Sequence, residues 1–508
     1  MANRNLFDDI AATAARRGDA PALCLHDGST IGYAELMTFA GRFAAALRNR
    51  GVVAGDRVVV QVEKSPAAAA LYLGCLQIGA IFVPLNTAYT PAEIGYFLGD
   101  AKPSLFVHAA GRGGAWPAEA ELGIDAASPF WAEALALAPE TGIAVRAADD
   151  VAAICYTSGT TGRSKGAMIT HDNLRSNARA LIDLWHFTET DRLLHILPIF
   201  HVHGLFVALH CALLSGAAIL FEPGFDIARA RSLLRQATVM MGVPTHYVRL
   251  LADAEFGKTD CTNVRLFISG SAPLLDETHR QFAERTGQAI LERYGMTETG
   301  MITSNPLAGD RVAGTVGYAL PGITLRARDA EGKLVAGGAV GTLEIRGPNV
   351  CAGYWQMADK TEEAFTADGW FVTGDLVTIG ADGRVSIVGR SKDLIISGGY
   401  NIYPKEVEST IDAMPGVFES AVIGLPHPDF GESVAAIIVR DAGSAVDEAA
   451  VAAWVGERLA RFKQPRVIGF VDALPRNAMG KVQKAELRTR HTAAENADIN
   501  AGQQGKIV

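Results

Sequence analysis

From residue 33 to residue 291 the chain keeps returning to one pattern, a stretch of helical periodicity followed by a short apolar run, and that order leaves few architectures open. Residues 33–48 space Leu36, Phe39, Phe43, Ala44 and Leu47 along a helical face, and 57–62 then reads as a strand. Helices predicted at 66–78, 91–98 and 173–184 alternate with strands at 80–85, 104–107, 151–154 and 193–197. Further strands follow at 217–220, 238–241, 265–268 and 288–291. Repeated strand, helix, strand order builds a largely parallel sheet with helices on its faces. Residues 111–149 break the rhythm, and a surface excursion is expected there.

Beyond about residue 312 the pattern changes. Short runs at 325–328, 341–346 and 384–388, separated by Gly and Asp turns, predict a small antiparallel β unit. A polar segment at 389–393 then leads into mixed signals: strands at 393–396, 417–423, 434–439 and 467–471, and helices at 404–411 and 449–461. Pro404 suits a first helical turn, and Glu406 favours the same terminus. With 508 residues the chain is too long for a single core. The expected fold class is α/β. A large N-terminal body of several subdomains, with α/β layers and a small β unit, spans 1–390. A mobile α+β domain at 391–490 and a flexible tail at 491–508 follow it.

Composition excludes several classes. Lys plus Arg number 46 against 55 Asp plus Glu, a net charge of -9 that gives no electrostatic footprint for nucleic acid. The six cysteines are dispersed without ligand spacing, which fits free thiols in a reducing compartment. The N-terminal residues lack the apolar core of a secretion signal, and the most apolar stretch, 66–85, is interrupted by Gln77, two glycines and Pro84. A cytoplasmic enzyme without integral membrane association is expected.

The chemistry concentrates first in Cys155-Tyr156-Thr157-Ser158-Gly159-Thr160-Thr161-Gly162-Arg163-Ser164-Lys165-Gly166, placed between the apolar run at 151–154 and a helix beginning near His171. Glycines allow backbone amides to turn inward, hydroxyls donate and Lys165 offsets charge, which together suit a polyphosphate. The spacing differs from the common phosphate loop, which has four free positions before Gly-Lys-Ser/Thr. An ordinary Ser/Thr/Gly turn is the competing reading.

The residue order of that loop resembles the phosphate signature of adenylate-forming enzymes, the superfamily of acyl-CoA synthetases, luciferases and peptide-synthetase adenylation domains. Tyr294-Gly295-Met296-Thr297-Glu298-Thr299, Thr373-Gly374-Asp375, Gly389-Arg390 with Lys392-Asp393, and Pro475-Arg476-Asn477 with Gly480-Lys481 extend the resemblance over nearly the whole chain. It implies ATP and coenzyme A as cosubstrates with Mg²⁺ as cofactor. Thr157, Ser158, Gly159, Thr160, Thr161, Gly162 and Lys165 would hold the phosphates, and Glu298 would ligate Mg²⁺ beside the phosphate contact Thr297. Gly270, Ser271, Ala272, Pro273, Tyr294, Gly295 and Met296 would form the adenine pocket. Asp375 would accept from the ribose hydroxyls, Arg390 would be a second nucleotide contact and Lys392 would sit at the hinge. Lys481 would bring the attacking carboxylate and the α-phosphate together. Gly398, Gly399 and Tyr400 would face the thiol channel, with Lys405, Arg461 and Lys463 as candidate cations for coenzyme A phosphates. Similar synthetases are controlled by a protein lysine acyltransferase acting on the counterpart of Lys481, where acylation removes the charge.

Arg293 precedes Tyr294, where many ligases for neutral acids carry a small residue, so a second carboxylate on the substrate is expected to pair with it. A structural ion pair with Glu292 is the competing reading. Arg249, His203 and Ser271 are further candidates for the same acid, with Arg280 ranked lower. These residues, with 84–90 and His201-Val202-His203-Gly204-Leu205, resemble malonyl-CoA synthetases. Malonate is the implied acid and methylmalonate a second one, since a small apolar pocket discriminates one methyl only modestly. Another short dicarboxylate or aromatic acid ligase, and a carrier-loading adenylation enzyme, are the alternatives. Gly300 departs from close relatives that carry a polar residue there.

Overall fold

The computed structural model describes residues 3–157, 164–335, 337–427, 429–477 and 480–492. The expected phosphate contacts Ser158, Gly159, Thr160, Thr161 and Gly162, and most of the expected tail, lie outside the described residues. The chain packs as two units, one formed by Met1–Gly270, Thr278–Leu325 and Ile345–Phe371, the other by Ser271–Glu277, Arg326–Glu344 and Val372–Val508.

The first unit contains two sheets. The larger has nine strands, in the order Tyr318–Ala319, Gly300–Ser304, Leu291–Met296, Leu266–Ser269, Val239–Gly242, Arg192–His195, Ala218–Phe221, Pro21–Leu25 and Thr30–Gly32. Its interior, from Leu291–Met296 to Pro21–Leu25, is parallel throughout. The smaller sheet has six strands: Glu119–Glu121, Leu105–His108, Arg57–Gln61, Ile81–Pro84, Val151–Thr157 and Lys165–Thr170. Both are covered by helices, which explains why strands such as Val239–Gly242 and Ile81–Pro84 are buried at every residue.

Local chemistry sets the helix ends. Ser65 accepts from the Ala68 amide and Pro66 opens the helix Pro66–Ile78, whose residues from Ala67 to Ile78 are all buried. Thr90 with Glu93 forms a capping box at Pro91–Ala101.

Residues 111–149 are mostly irregular, as expected, with two short elements inside them. They contribute the edge strand Glu119–Glu121 and the helix Pro129–Leu135, whose Phe130 meets Phe43 edge-on at 5.5 Å. Elements of three and seven residues are too short for periodicity to reveal.

The second unit holds most of a four-stranded sheet, in the order Thr324–Arg328, Val340–Arg346, Phe371–Ile379 and Val385–Arg390. It also contains a five-stranded sheet ordered Tyr400–Ile402, Ile395–Ser397, Gly431–Arg440 and Val417–His427, with Val467–Phe470 paired to Gly431–Arg440. Along the long hairpin Val422 and Ile438 join one core with Val407, Ile411 and Val451, while Ile423 and Ile437 join another with Leu474 and Leu487. Two covered faces turn what would be an alternating pattern into continuous apolar runs. The expected pivot at Lys392 is a 3₁₀ turn, Ser391–Asp393, directly after the strand Val385–Arg390.

Candidate functional site

Parallel topology gathers the site of the first unit. His195, Gly242 and Ser269 end adjacent strands, so the segments that follow them emerge at the carboxyl edge of one sheet, where open α/β sheets take ligands. Those segments carry His201 and His203, His246 and Arg249, and Gly270. The next strand, Leu291–Met296, runs through the predicted motif rather than stopping at Leu291. It is lengthened by an antiparallel partner, Gly300–Ser304, and the two are joined by the tight turn Thr297-Glu298-Thr299.

Arg293 lies on this strand and is buried, 3% exposed. No carboxylate among the described residues pairs with it, and its Nε and Nη2 have no hydrogen-bond partner there. Glu292 is excluded as the expected structural counter-ion, because neighbours on a strand face opposite sides. Burial lowers the guanidinium to about 9, with Tyr247 opposing that shift, so it stays cationic at neutral pH. Gly270 makes room for it: a Cβ there would sit 2.2 Å from Arg293 Nη1.

Histidines surround this cation. His203 is buried at the start of a π-helical turn, His203–Ala208, and the His195 Nε2 to Gly204 carbonyl contact of 2.9 Å holds that turn. Burial and the Arg293 charge push His203 well below the ordinary imidazole range and His201 down to about 4. His246 is lowered to about 4 by burial and by Arg249, and it stacks on Phe225 at 4.5 Å. Arg249 itself is exposed and sits 4.8 Å over the Phe225 ring. The Arg293 charge thus acts on the buried His203, whereas Arg249 is exposed. Arg280 pairs with Glu284 at 2.5 Å on an exposed helix face.

The second cluster surrounds the hairpin Val151–Thr157 and Lys165–Thr170. The helix expected near His171 begins there, as His171–Trp185, but a strand, Lys165–Thr170, precedes it, and Lys165 opens that strand opposite Thr157. Its Nζ lies 4.1 Å over the ring of Tyr354. Tyr354 donates through its hydroxyl to Glu298 Oε1 at 3.0 Å, and Thr157 Oγ1 lies 3.5 Å from the same oxygen. Glu298 is buried, and the Cys351 amide holds its carbonyl at 2.8 Å. Burial, and to a lesser degree that carboxylate, push the Cys155 and Cys351 thiols up to about 12. No group of three or more His, Cys, Asp or Glu able to hold a metal occurs among the described residues. A lone buried carboxylate suits Mg²⁺, a hard cation that draws its remaining oxygens from phosphate and water. Thr297 adjoins Gly300, Asn177 and Asn349 around a small cavity. Gly300 adopts a φ of 57°, and a Cβ there would lie 2.7 Å from Asn177 Oδ1.

In the second unit Ser271 takes a φ of 72°, a conformation costly for a residue with a side chain, and Ala272 and Pro273 follow it toward solvent. Asp375 is buried and faces Arg390 across the hairpin, Oδ1 to Nε 2.7 Å. Lys481 remains exposed at the end of a loop tied by Asn477, whose Oδ1 accepts from the Lys481 amide at 3.0 Å. Desolvation of the amine, then Arg390 and Lys392, push it down to about 8 against the pull of Asp375 and Asp393. Gly398 and Gly399 form the two-residue turn of a hairpin, both at positive φ, and Tyr400 beyond them stacks on Phe462 at 4.7 Å. Lys463 is held by Glu406 at 2.5 Å, while Lys405 and Arg461 form no ion pair with a carboxylate among the described residues.

Sequence reasoning missed Tyr354, the residue in contact with both Lys165 and Glu298; the signal that could have found it is Gly353-Tyr354-Trp355, two aromatics after a glycine. It also missed the steric role of Gly270. No helix among the described residues is long and apolar enough to cross a membrane.

MatB from Rhodopseudomonas palustris, solved with ATP bound, is 50% identical with a TM-score of 0.93, over 97% of this chain and 99% of that one. A malonate–CoA ligase of Arabidopsis thaliana is 34% identical over 92% of this chain and 82% of its own length. A feruloyl-CoA synthase from an Amycolatopsis species is 35% identical over 92% and 95%. Residues 10–355 match the AMP-binding enzyme family and 406–481 its C-terminal domain, so the chain belongs to the AMP-binding enzymes.

Proposed function

We propose that the chain is a malonyl-CoA synthetase, converting ATP, malonate and coenzyme A to AMP, diphosphate and malonyl-CoA through malonyl adenylate. The observation that carries this reading is Arg293, a buried cation with two unsatisfied N–H groups beside Gly270 and His203. Leaving such groups unpaired is costly, whereas a carboxylate satisfies them and offsets the desolvation. A malonate has one carboxylate to spare after the other has reacted, and a ferulate has none. The likeness to MatB and to the malonate–CoA ligase supports the same acid. Methylmalonate differs by one methyl and is proposed as a second substrate.

In the first half-reaction a malonate oxygen attacks the α-phosphorus of ATP and the bond to the β-phosphate oxygen breaks, releasing diphosphate. Bound at Glu298, Mg²⁺ would neutralise phosphate charge. Lys165 and Thr157 hold the outer phosphates, and Lys481 offsets the two negative groups as they meet. Arg293 anchors the far carboxylate throughout. In the second half-reaction the coenzyme A thiol loses its proton to solvent, sulfur attacks the acyl carbon, and AMP leaves with the electrons of the C–O bond. Asp375 and Arg390 are proposed nucleotide contacts, Lys392 the pivot of a domain at 391–490, and Gly398, Gly399 and Tyr400 the thiol channel. Acylation of Lys481 would remove its charge and stop the first step.

A panel of acids measured for diphosphate release and acyl-CoA formation tests the reading. Malonate should be used well ahead of acetate, succinate and a cinnamate-like acid. Arg293→Met should weaken malonate use by about tenfold or more, the value of a charge-assisted hydrogen bond of ~1.5–3 kcal/mol. Equal use of acetate by the unaltered protein would reject the assignment.

A further inference from the structure

We infer that Tyr354 is a positioning residue that sets the phosphate-facing lysine and the metal-binding carboxylate in one geometry; the inference rests on the roles proposed above for Lys165 and Glu298. Its two functional surfaces are used separately. The ring face carries Lys165, whose Nζ stands 4.1 Å from the centroid, and the hydroxyl donates to Glu298 Oε1 at 3.0 Å. Tyr354 is itself fixed: it is 4% exposed, its amide donates to Thr361 Oγ1 at 2.9 Å, and it bridges to Ala167 on the strand that Lys165 begins. Backbone bonds on either side of that bridge, Met168 to Gly353 at 2.9 Å and Trp355 to Gly166 at 2.7 Å, carry the same register.

The chemistry of the carboxylate gives this placement its use. Thr157 and Tyr354 both approach Oε1, so among the described residues Oε2 has no hydrogen-bond partner and is the oxygen left for a cation. A phenol can fill this role because it donates a hydrogen bond without adding charge. The lysine and the carboxylate would otherwise be free to pair with each other. The ring gives the ammonium an electrostatic seat that triphosphate oxygens can overcome, which a direct ion pair would resist.

The two surfaces separate by substitution. Tyr354→Phe keeps the ring and removes the hydroxyl, and Tyr354→Leu removes both. Binding is measured on the intact protein at equilibrium, with a non-hydrolysable ATP analogue in EDTA and with Mn²⁺ plus the analogue by paramagnetic resonance. Thermal unfolding of each variant confirms that it folds. Tyr354→Phe should leave metal-free nucleotide affinity near that of the unaltered protein and weaken Mn²⁺ binding by about tenfold or more, the usual effect of losing a partner that orients a ligand. Tyr354→Leu should in addition weaken metal-free nucleotide binding by several-fold, the scale of one cation–π contact. Folded variants that bind both ligands as the unaltered protein does would overturn the inference while leaving the proposed function standing. Failure of the unaltered protein to bind the analogue or Mn²⁺ would instead overturn the roles of Lys165 and Glu298 themselves.

Discussion

Gly270 and Arg293 occupy one another's space in a way that no single residue reveals. The guanidinium lies where any side chain at 270 would begin, so the position is glycine for a steric reason, separate from a turn. Gly270→Ala should force Arg293 from its seat, at a stability cost of about 1–3 kcal/mol typical of overpacking. The more telling outcome is selectivity: the preference for malonate over acetate should shrink in steady-state assays, because the distal carboxylate loses its partner. Arg293 itself was legible from the sequence as a charge beside Tyr294-Gly295. Its isolation from protein carboxylates was not, since that depends on what the neighbouring strands bring to the same edge.

At the scale of elements, the long hairpin Val417–His427 and Gly431–Arg440 meets the helix Pro404–Asp412 at an acid cluster in which Glu408 is buried and Asp412 and Glu419 are half-buried. Asp412 takes a 2.7 Å hydrogen bond from Ser420 Oγ, and burial pushes its carboxyl up to about 7 although Lys405 pulls it down. Glu408 and Glu419 face it as well, the first paired with Lys484 at 2.5 Å and the second with Arg476. A carboxyl whose folded value lies above its unfolded 3.8 favours the folded state below that pH and loses this contribution as pH rises through about 7. Asp412→Asn keeps an acceptor for Ser420 without the charge. Its melting temperature relative to the unaltered protein should therefore be more favourable at pH 8 than at pH 5, as read by calorimetry. Helices and strands of this kind were largely predicted, because capping residues and apolar runs are local. The strand Lys165–Thr170 was missed ahead of the helix expected near His171, because the pairing that makes it a strand lies in its partner Val151–Thr157 and in Tyr354.

For the whole molecule, acid should be the destabilising direction in the first unit. Burial holds His171 down to about 4 and His210 to about 3, each from an unfolded value of 6.5. Below 6.5 the unfolded chain takes up protons that the folded chain refuses, so stability should fall progressively from about pH 6.5 to pH 4. Denaturant unfolding at several pH values, followed by a probe within the first unit, should show that slope; a flat profile would mean that these imidazoles are not held neutral.

Residue order alone settled the class of fold and the kind of chemistry, since periodicity, capping and short polar motifs are written locally along the chain. Which cation stands without a counter-ion, which glycine admits it, and which tyrosine lies between lysine and carboxylate are matters of distance between segments far apart in sequence. Those were decided by parallel strand order and close packing, which place the ends of separate strands side by side.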